Sequence, residues 1–123
     1  MRADAEISII RVREVLLATM PPDPGDATIS SLQERILVAL ERRHASGVVL
    51  DISAVETLDS FFARTVAETA QMVALMGGRT VIAGMRPSVA ITVTQLGLTL
   101  GQALTALDVD RALDALELGR GEP

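Results

Sequence analysis

The stretch over residues 48–70 constrains the fold most, because it joins an apolar run to a helix-period segment through a polar connection. It begins with three apolar residues followed by Asp51, the pattern of a buried strand. Residues 52–58 form the connection, and Asp59 and Ser60 then open the helical segment. Ser60 is therefore expected at a helix N-terminus, where backbone N–H groups are unpaired and the helix dipole is positive.

Composition sets the size of the fold and excludes several classes of function. A chain of 123 residues that is 49% hydrophobic fits one domain, which we expect over residues 1–123 with an ordered core at about 7–118. A net charge of −5 and an aromatic content of 2% argue against a nucleic-acid partner. There is no apolar run long enough for a membrane span and no signal peptide, so a soluble cytoplasmic protein is expected.

Two missing residue types exclude further chemistry. All eleven basic residues are arginine, so the chain has no lysine for a P-loop or a Schiff base. There is also no cysteine, which removes disulfides, thiolate metal sites and cysteine nucleophiles.

Apolar periodicity predicts a β-β-α-β-α-β-α-β-α order. The strands are expected at residues 7–12, 15–20, 48–50, 80–83 and 102–107, and the helices at 28–45, 60–76, 87–96 and from 108. Arg13 and Glu14 form the turn of an antiparallel hairpin, although neither is a typical turn residue. The later strands alternate with helices, which implies parallel crossovers. The fold class is α/β with a mixed sheet.

Spacing also predicts the ends and inward faces of the helices. The first helix has several candidate N-caps: Asp26, Thr28, Ser30, and Ser31 with Glu34 as a capping box. Gly77 and Gly97 are expected to end the second and third helices. The residues expected to face the core are Ile29, Leu32, Ile36 and Leu40; Phe62, Val66, Thr69 or Ala70, Val73 and Met76; Val89, Ala90, Val93 and Leu96; and Ala112, Leu113 and Leu116.

The candidate chemistry is sparse. Ser60 does not lie in a G-x-S-x-G elbow, and the sole histidine, His44, lies near the end of the first helix, so a hydrolase triad is not expected. Carboxylates at Asp51, Glu56 and Asp59 could bind a hard cation. Asp51 is equally suited to satisfy loop N–H groups and Asp59 to cap a helix. We expect these structural roles, with no metal and no cofactor.

Two uses of the junction stay open on the residues alone. Ser60 could accept a phosphate, because a helix start tolerates the added charge of about −1.5 to −2, or it could simply occupy the first turn. Phe61 is expected on the less buried side, where it would offer a contact to a partner. Alternatively, a small ligand or nucleotide could bind at the strand ends near Asp51, Gly84 and Arg86.

Three stretches give the chain a family resemblance. The element order and the motif D-I-S-x-V-x-x-L-D-S resemble the STAS domain, the fold of anti-sigma-factor antagonists. The run D-S-F within residues 47–61, G-M-R-P within 72–97 and the segment 103–116 resemble the RsbS-type antagonists of the stressosome. The resemblance covers about residues 7–118.

The resemblance implies a function without catalysis. Ser60 aligns with the serine phosphorylated by a serine/threonine switch kinase of the RsbT type, and Asp59, Phe61 and Asp51 are expected to shape the kinase contact. Thr92 aligns with a threonine phosphorylated in longer paralogues, or is a polar helix-face residue. The implied partners are that kinase, an RsbR-type co-antagonist, a resetting phosphatase and a second copy within a large assembly.

Overall fold

The computed structural model describes residues 7–121 and confirms the predicted order of elements. The strands are β1 (Ser8–Val12), β2 (Val15–Thr19), β3 (Gly47–Asp51), β4 (Arg79–Ala83) and β5 (Leu104–Ala106). The helices are α1 (Asp26–Arg43), α2 (Ser60–Leu75), α3 (Pro87–Gln95) and α4 (Val109–Gly121). The fold is the predicted mixed α/β structure.

The five strands lie in the sheet in their order along the chain, β1-β2-β3-β4-β5. β1 and β2 are antiparallel, and every later neighbouring pair is parallel. This topology confirms the predicted hairpin followed by parallel crossovers.

The hairpin turn takes a conformation that its residues do not favour. Arg13 and Glu14 have φ values of 52° and 66°, so both lie in the left-handed region that a two-residue hairpin loop of type I′ requires. Tertiary contacts hold the turn: the Arg13 guanidinium lies 3.5 Å from the Glu117 carboxylate, and Ser46 N–H donates to the Glu14 carbonyl at 2.9 Å. The local turn signal is weak because neither residue is Gly, Asn or Asp, and the contacts of the turn come from residues distant in the sequence.

The two faces of the sheet are covered unequally. α1, α2 and the start of α3 cover one face, and their buried side chains pack against Leu16, Val48, Leu50 and Ile82. α4 alone covers the other face, where its buried Ala112, Leu113 and Leu116 meet Val15, Val49 and Val81. The predicted inward residues of α1 and α4 are all buried.

The predicted start of α1 is wrong. The helix begins at Asp26, and its N-cap is Gly25, which makes no side-chain cap hydrogen bond. Ser31 and Glu34 therefore lie inside the helix and form no capping box, and none of Asp26, Thr28, Ser30 and Ser31 is the cap. The helix ends at Arg43, followed by His44 with a φ of 51°.

The predicted glycine stops of α2 and α3 are confirmed, and both are Schellman motifs. After α2, Gly77 N–H donates to the Ala74 carbonyl at 3.0 Å, and Gly78 N–H donates to the Val73 carbonyl at 2.9 Å. After α3, Gly97 N–H donates to Thr94 at 3.2 Å and Leu98 N–H to Val93 at 3.0 Å in the same pattern. Gly77 and Gly97 have φ values of 90° and 64°, a region that glycine occupies without strain.

Three residues predicted to face the core are exposed instead. Met76 and Leu96 are 48% and 57% exposed because each is the C-cap of its helix, beyond the last inward turn. Ala90 is exposed because α3 reaches the core mainly through Val89. No helix in the described part of the chain is long and apolar enough to cross a membrane.

Candidate functional site

Ser60 is the first residue of α2, and its side chain is exposed. The preceding residue, Asp59, is the N-cap: its Oδ1 accepts a hydrogen bond from Phe62 N–H at 2.9 Å. Ala63 N–H donates to the Asp59 carbonyl at 3.1 Å and completes the first turn. The predicted capping role of Asp59 is confirmed, and the Ser60 hydroxyl lies at the positive end of a well-formed helix of sixteen residues.

The two phenylalanines after Ser60 have different environments. Phe62 is 2% exposed and lies in the main core. Phe61 is only partly buried and packs against the edge of the same core. Phe61 is next in sequence to Ser60, so a partly exposed aromatic side chain and an exposed hydroxyl occur together. The predicted position of Phe61 on the less buried side is confirmed.

The loop over residues 52–58, predicted to be a polar connection, is anchored by apolar side chains. Ile52, Val55 and Leu58 are 1%, 0% and 7% exposed and belong to the main core. Their spacing of three residues is visible in the sequence and is the signal that could have identified the anchors. The loop that carries the chain to Ser60 is thus part of the packed domain.

Polar contacts from the start of α3 hold the same loop from its other side. Arg86 Nε donates to the Ser53 carbonyl at 2.8 Å, and the Arg86 guanidinium lies 3.8 Å from the Glu56 carboxylate. Ser88 Oγ donates to the Glu56 carbonyl at 3.3 Å. Glu56 N–H donates in turn to the Pro22 carbonyl at 3.3 Å. The loop before Ser60 is therefore attached to both neighbouring loops.

Asp51, Gly84 and Arg86, where the sequence suggested a small ligand, all lie close to the exposed Ser53. Asp51 Oδ1 accepts a hydrogen bond from Ser53 N–H at 3.0 Å, which confirms the loop-satisfying role expected of Asp51. Gly84 has a φ of 78°, and a Cβ placed on it would lie 2.9 Å from the Ser53 Cβ. Since Arg86 also donates to the Ser53 carbonyl, the structure brings the three residues of the candidate ligand site together around an exposed serine of the chain.

The other candidate residues do not converge on Ser60. His44 lies just before the beginning of β3, whereas Ser60 lies after the end of β3. The two residues are therefore at opposite ends of the central strand. Thr92 is half-buried in α3, and its Oγ1 donates to the Ser88 carbonyl at 3.0 Å. Within the described part of the chain, no three His, Cys, Asp or Glu residues are grouped to hold a metal ion.

The fold and the exposed start of α2 together define a class of protein. The STAS domain family matches residues 26–112, and the chain belongs to it. The fold is that of the STAS antagonists: the unphosphorylated form of the anti-sigma factor antagonist SpoIIAA, 16% identical, superposes with a TM-score of 0.70.

Among the relatives, stressosome proteins match most of the chain. A serine-to-glutamate variant of RsbS from Moorella thermoacetica is 32% identical, with a TM-score of 0.81 over 94% of this chain and 99% of that chain. A chain in a solved structure of the stressosome is 31% identical, with a TM-score of 0.79 over 94% of this chain and 100% of that chain. The RsbT co-antagonist protein RsbRA of Bacillus subtilis is 28% identical over 71% of this chain. The present chain spans only 32% of that relative's length.

Proposed function

We propose that this protein is a non-catalytic cytoplasmic scaffold of a stressosome, which sequesters a serine/threonine kinase until Ser60 is phosphorylated. The observation that carries the proposal is the exposed Ser60 hydroxyl on the first residue of a side-chain-capped helix. Phosphorylation there releases the kinase, and a phosphatase resets the site. The protein is a partner in this cycle and contributes no catalytic group.

The domain itself can accept the phosphate. An anion at a helix N-terminus is stabilised by about 0.3–1 kcal/mol at an exposed site. Arg64 lies four residues after Ser60 on α2, so the two side chains share one helix face, and Arg64 is exposed. Asp59, by contrast, repels the phosphate because its carboxylate is adjacent. The opposing contributions are similar in size, so the modified domain keeps its fold.

A kinase surface shaped for the neutral hydroxyl cannot accept the phosphate in the same way. The modification adds about −1.5 to −2 charges and three oxygen acceptors beside the partly exposed Phe61. The loop before Ser60 is held by Arg86 and by buried Val55, which favours a switch through surface charge without rearrangement of the backbone. Asp51 contributes indirectly, through its hydrogen bond to Ser53.

The relatives support assembly of this chain with other STAS proteins. It matches a stressosome chain over 94% of its own length and 100% of the other chain, and RsbRA is named as a co-antagonist of RsbT. We therefore infer a homodimer within a large particle that also contains an RsbR-type paralogue, and an RsbT-type kinase as the sequestered enzyme.

The test is incubation with the cognate kinase and ATP, followed by mass spectrometry and a kinase pull-down. We expect one phosphate, on Ser60. Ser60→Ala should retain kinase binding and Ser60→Asp should weaken it. Ser30→Asp, which adds the same charge at an exposed position on α1, is the control and should bind normally. Equal binding by the Ala and Asp variants of Ser60 would remove the switch role.

The same mass spectra test whether Thr92 is phosphorylated, and the same pull-down tests whether Phe61 contacts the kinase. We expect Thr92 to remain unmodified, because the residue is half-buried and its hydroxyl already donates to the Ser88 carbonyl within the helix. Phe61→Ala should weaken kinase binding while leaving the circular dichroism spectrum unchanged. A phosphate on Thr92, or full kinase binding by the Phe61 variant, would contradict these two assignments.

A further inference from the structure

Thr80 on β4 carries a buried hydroxyl without a protein partner. Thr80 is 6% exposed. Its Oγ1 is the one buried side-chain oxygen or nitrogen without a hydrogen bond among the residues whose side chains are described. Thr80 pairs with Val48 in the sheet and belongs to the face covered by α1 and α2. Burial of an unpaired hydroxyl is unfavourable, so this position calls for an explanation.

A small cavity lies beside that hydroxyl. It is bounded by aliphatic side chains from α1 and β3 and by three threonines, Thr65 and Thr69 of α2 and Thr80 itself. Its volume of about 10 Å³ is close to the smallest space that holds one water molecule. The wall is mostly apolar, but the three threonines in it carry hydroxyl groups, which give a water molecule hydrogen-bond partners that a wholly apolar cavity lacks.

The hydrogen bonds already made by Thr69 leave room for one more. Its Oγ1 donates to the Thr65 carbonyl at 2.7 Å and accepts from Gln33 Nε2 at 3.1 Å. A hydroxyl has one donor and two acceptor sites, so one lone pair of Thr69 is unused. Thr80 Oγ1 has all three of its sites available.

We propose that a single ordered water molecule occupies this cavity and bridges Thr80 Oγ1 and Thr69 Oγ1. The water donates one hydrogen to the free lone pair of Thr69 and accepts the Thr80 hydroxyl hydrogen. The water extends the hydrogen bond between Gln33 on α1 and Thr69 on α2 to Thr80 on β4. This hydration site is independent of the switch proposed for Ser60. It connects α1, α2 and β4 through hydrogen bonds.

The test combines detection of the water with removal of its proposed ligand. Water-to-protein nuclear Overhauser measurements on the full chain should show a long-lived water near the Thr80 and Thr69 methyl groups. Thr80→Val keeps the shape of the side chain and should abolish that signal and lower the Tm. Thr105→Val, the same change at an exposed position on the neighbouring strand, is the control and should preserve both.

The alternative is a dry cavity with an unsatisfied hydroxyl. In that case the wild-type protein gives no water signal, and Thr80→Val raises the Tm because the substitution removes an unpaired polar group. A crystal structure of the wild-type protein is a second test of whether the cavity holds a water molecule. Density for a water within hydrogen-bond distance of both hydroxyls supports the site, and a Thr80 hydroxyl turned onto a backbone carbonyl overturns it.

Discussion

The contact between Gly84 and Ser53 gives the sharpest test of how the loop before Ser60 is held. A Cβ at Gly84 would lie 2.9 Å from the Ser53 Cβ and 3.3 Å from its Cα, atoms fixed to the backbone that cannot rotate away. The φ of 78° adds backbone strain for any other residue. We expect strain of about 1 kcal/mol from the left-handed conformation and about 1–3 kcal/mol from overpacking. Gly84→Ala should therefore destabilise the domain by about 2–4 kcal/mol.

The matched control is Gly97→Ala. Gly97 also has a positive φ, 64°, but a Cβ there would meet nothing within 4 Å. It should cost only the backbone strain of about 1 kcal/mol. The difference between Gly84→Ala and Gly97→Ala therefore measures the clash with Ser53.

Urea unfolding of the two variants, together with Ser53→Gly, completes the test. Ser53→Gly alone should change stability little, since the residue is exposed and its hydrogen bonds use backbone groups. Combined with Gly84→Ala it should recover about 1–2 kcal/mol, because the nearest atom has been removed. If Gly84→Ala costs no more than Gly97→Ala, or if the double variant shows no recovery, the two loops are not in the contact described.

Three further changes test other features. Asp59→Ala should lower the stability by about 1 kcal/mol through loss of the α2 cap, while Asp59→Asn should cost much less; equal losses in thermal melts would assign the effect to charge. Glu14→Gly should stabilise by about 0.5–1 kcal/mol by relieving the positive φ, with Glu14→Ala as the side-chain control, and a loss in urea unfolding would contradict this. Arg64→Ala should remove about 0.5 kcal/mol from the phosphorylated protein but little from the unmodified one, and equal shifts in Tm would exclude an ion pair with phospho-Ser60.

The secondary structure was predictable because each element has strong local signals. The inward stripe of α1, the Asp59 cap and the glycine stops all depend on residues within one or two turns. The predicted cap of α1 is wrong because Asp26, Ser30 and Ser31 follow Gly25, and capping propensity favours aspartate and serine over glycine. Gly25 makes no side-chain cap hydrogen bond, so the sequence carries no cap signal at that position.

The environment of Ser60 was only partly predictable. Its place at the start of α2 and the burial of Phe62 follow from periodicity. The contacts of Arg86 with Ser53 and of Ser88 with Glu56 join residues more than thirty positions apart, so no local spacing reveals them. The same holds for the left-handed turn at Arg13, which is held by a helix at the other end of the chain.

The sequential order of the strands limits where this domain can interact with other molecules. An open α/β sheet forms a ligand crevice where its winding reverses direction, so that successive crossover helices lie on opposite faces. Here every strand is added at the same edge of the sheet, and α1, α2 and the start of α3 all cover one face. The five strands of the described residues therefore contain no reversal point, and their sheet has no crevice of that origin. A site on the outer surface, such as the exposed Ser60 at the start of α2, does not depend on a crevice of that kind.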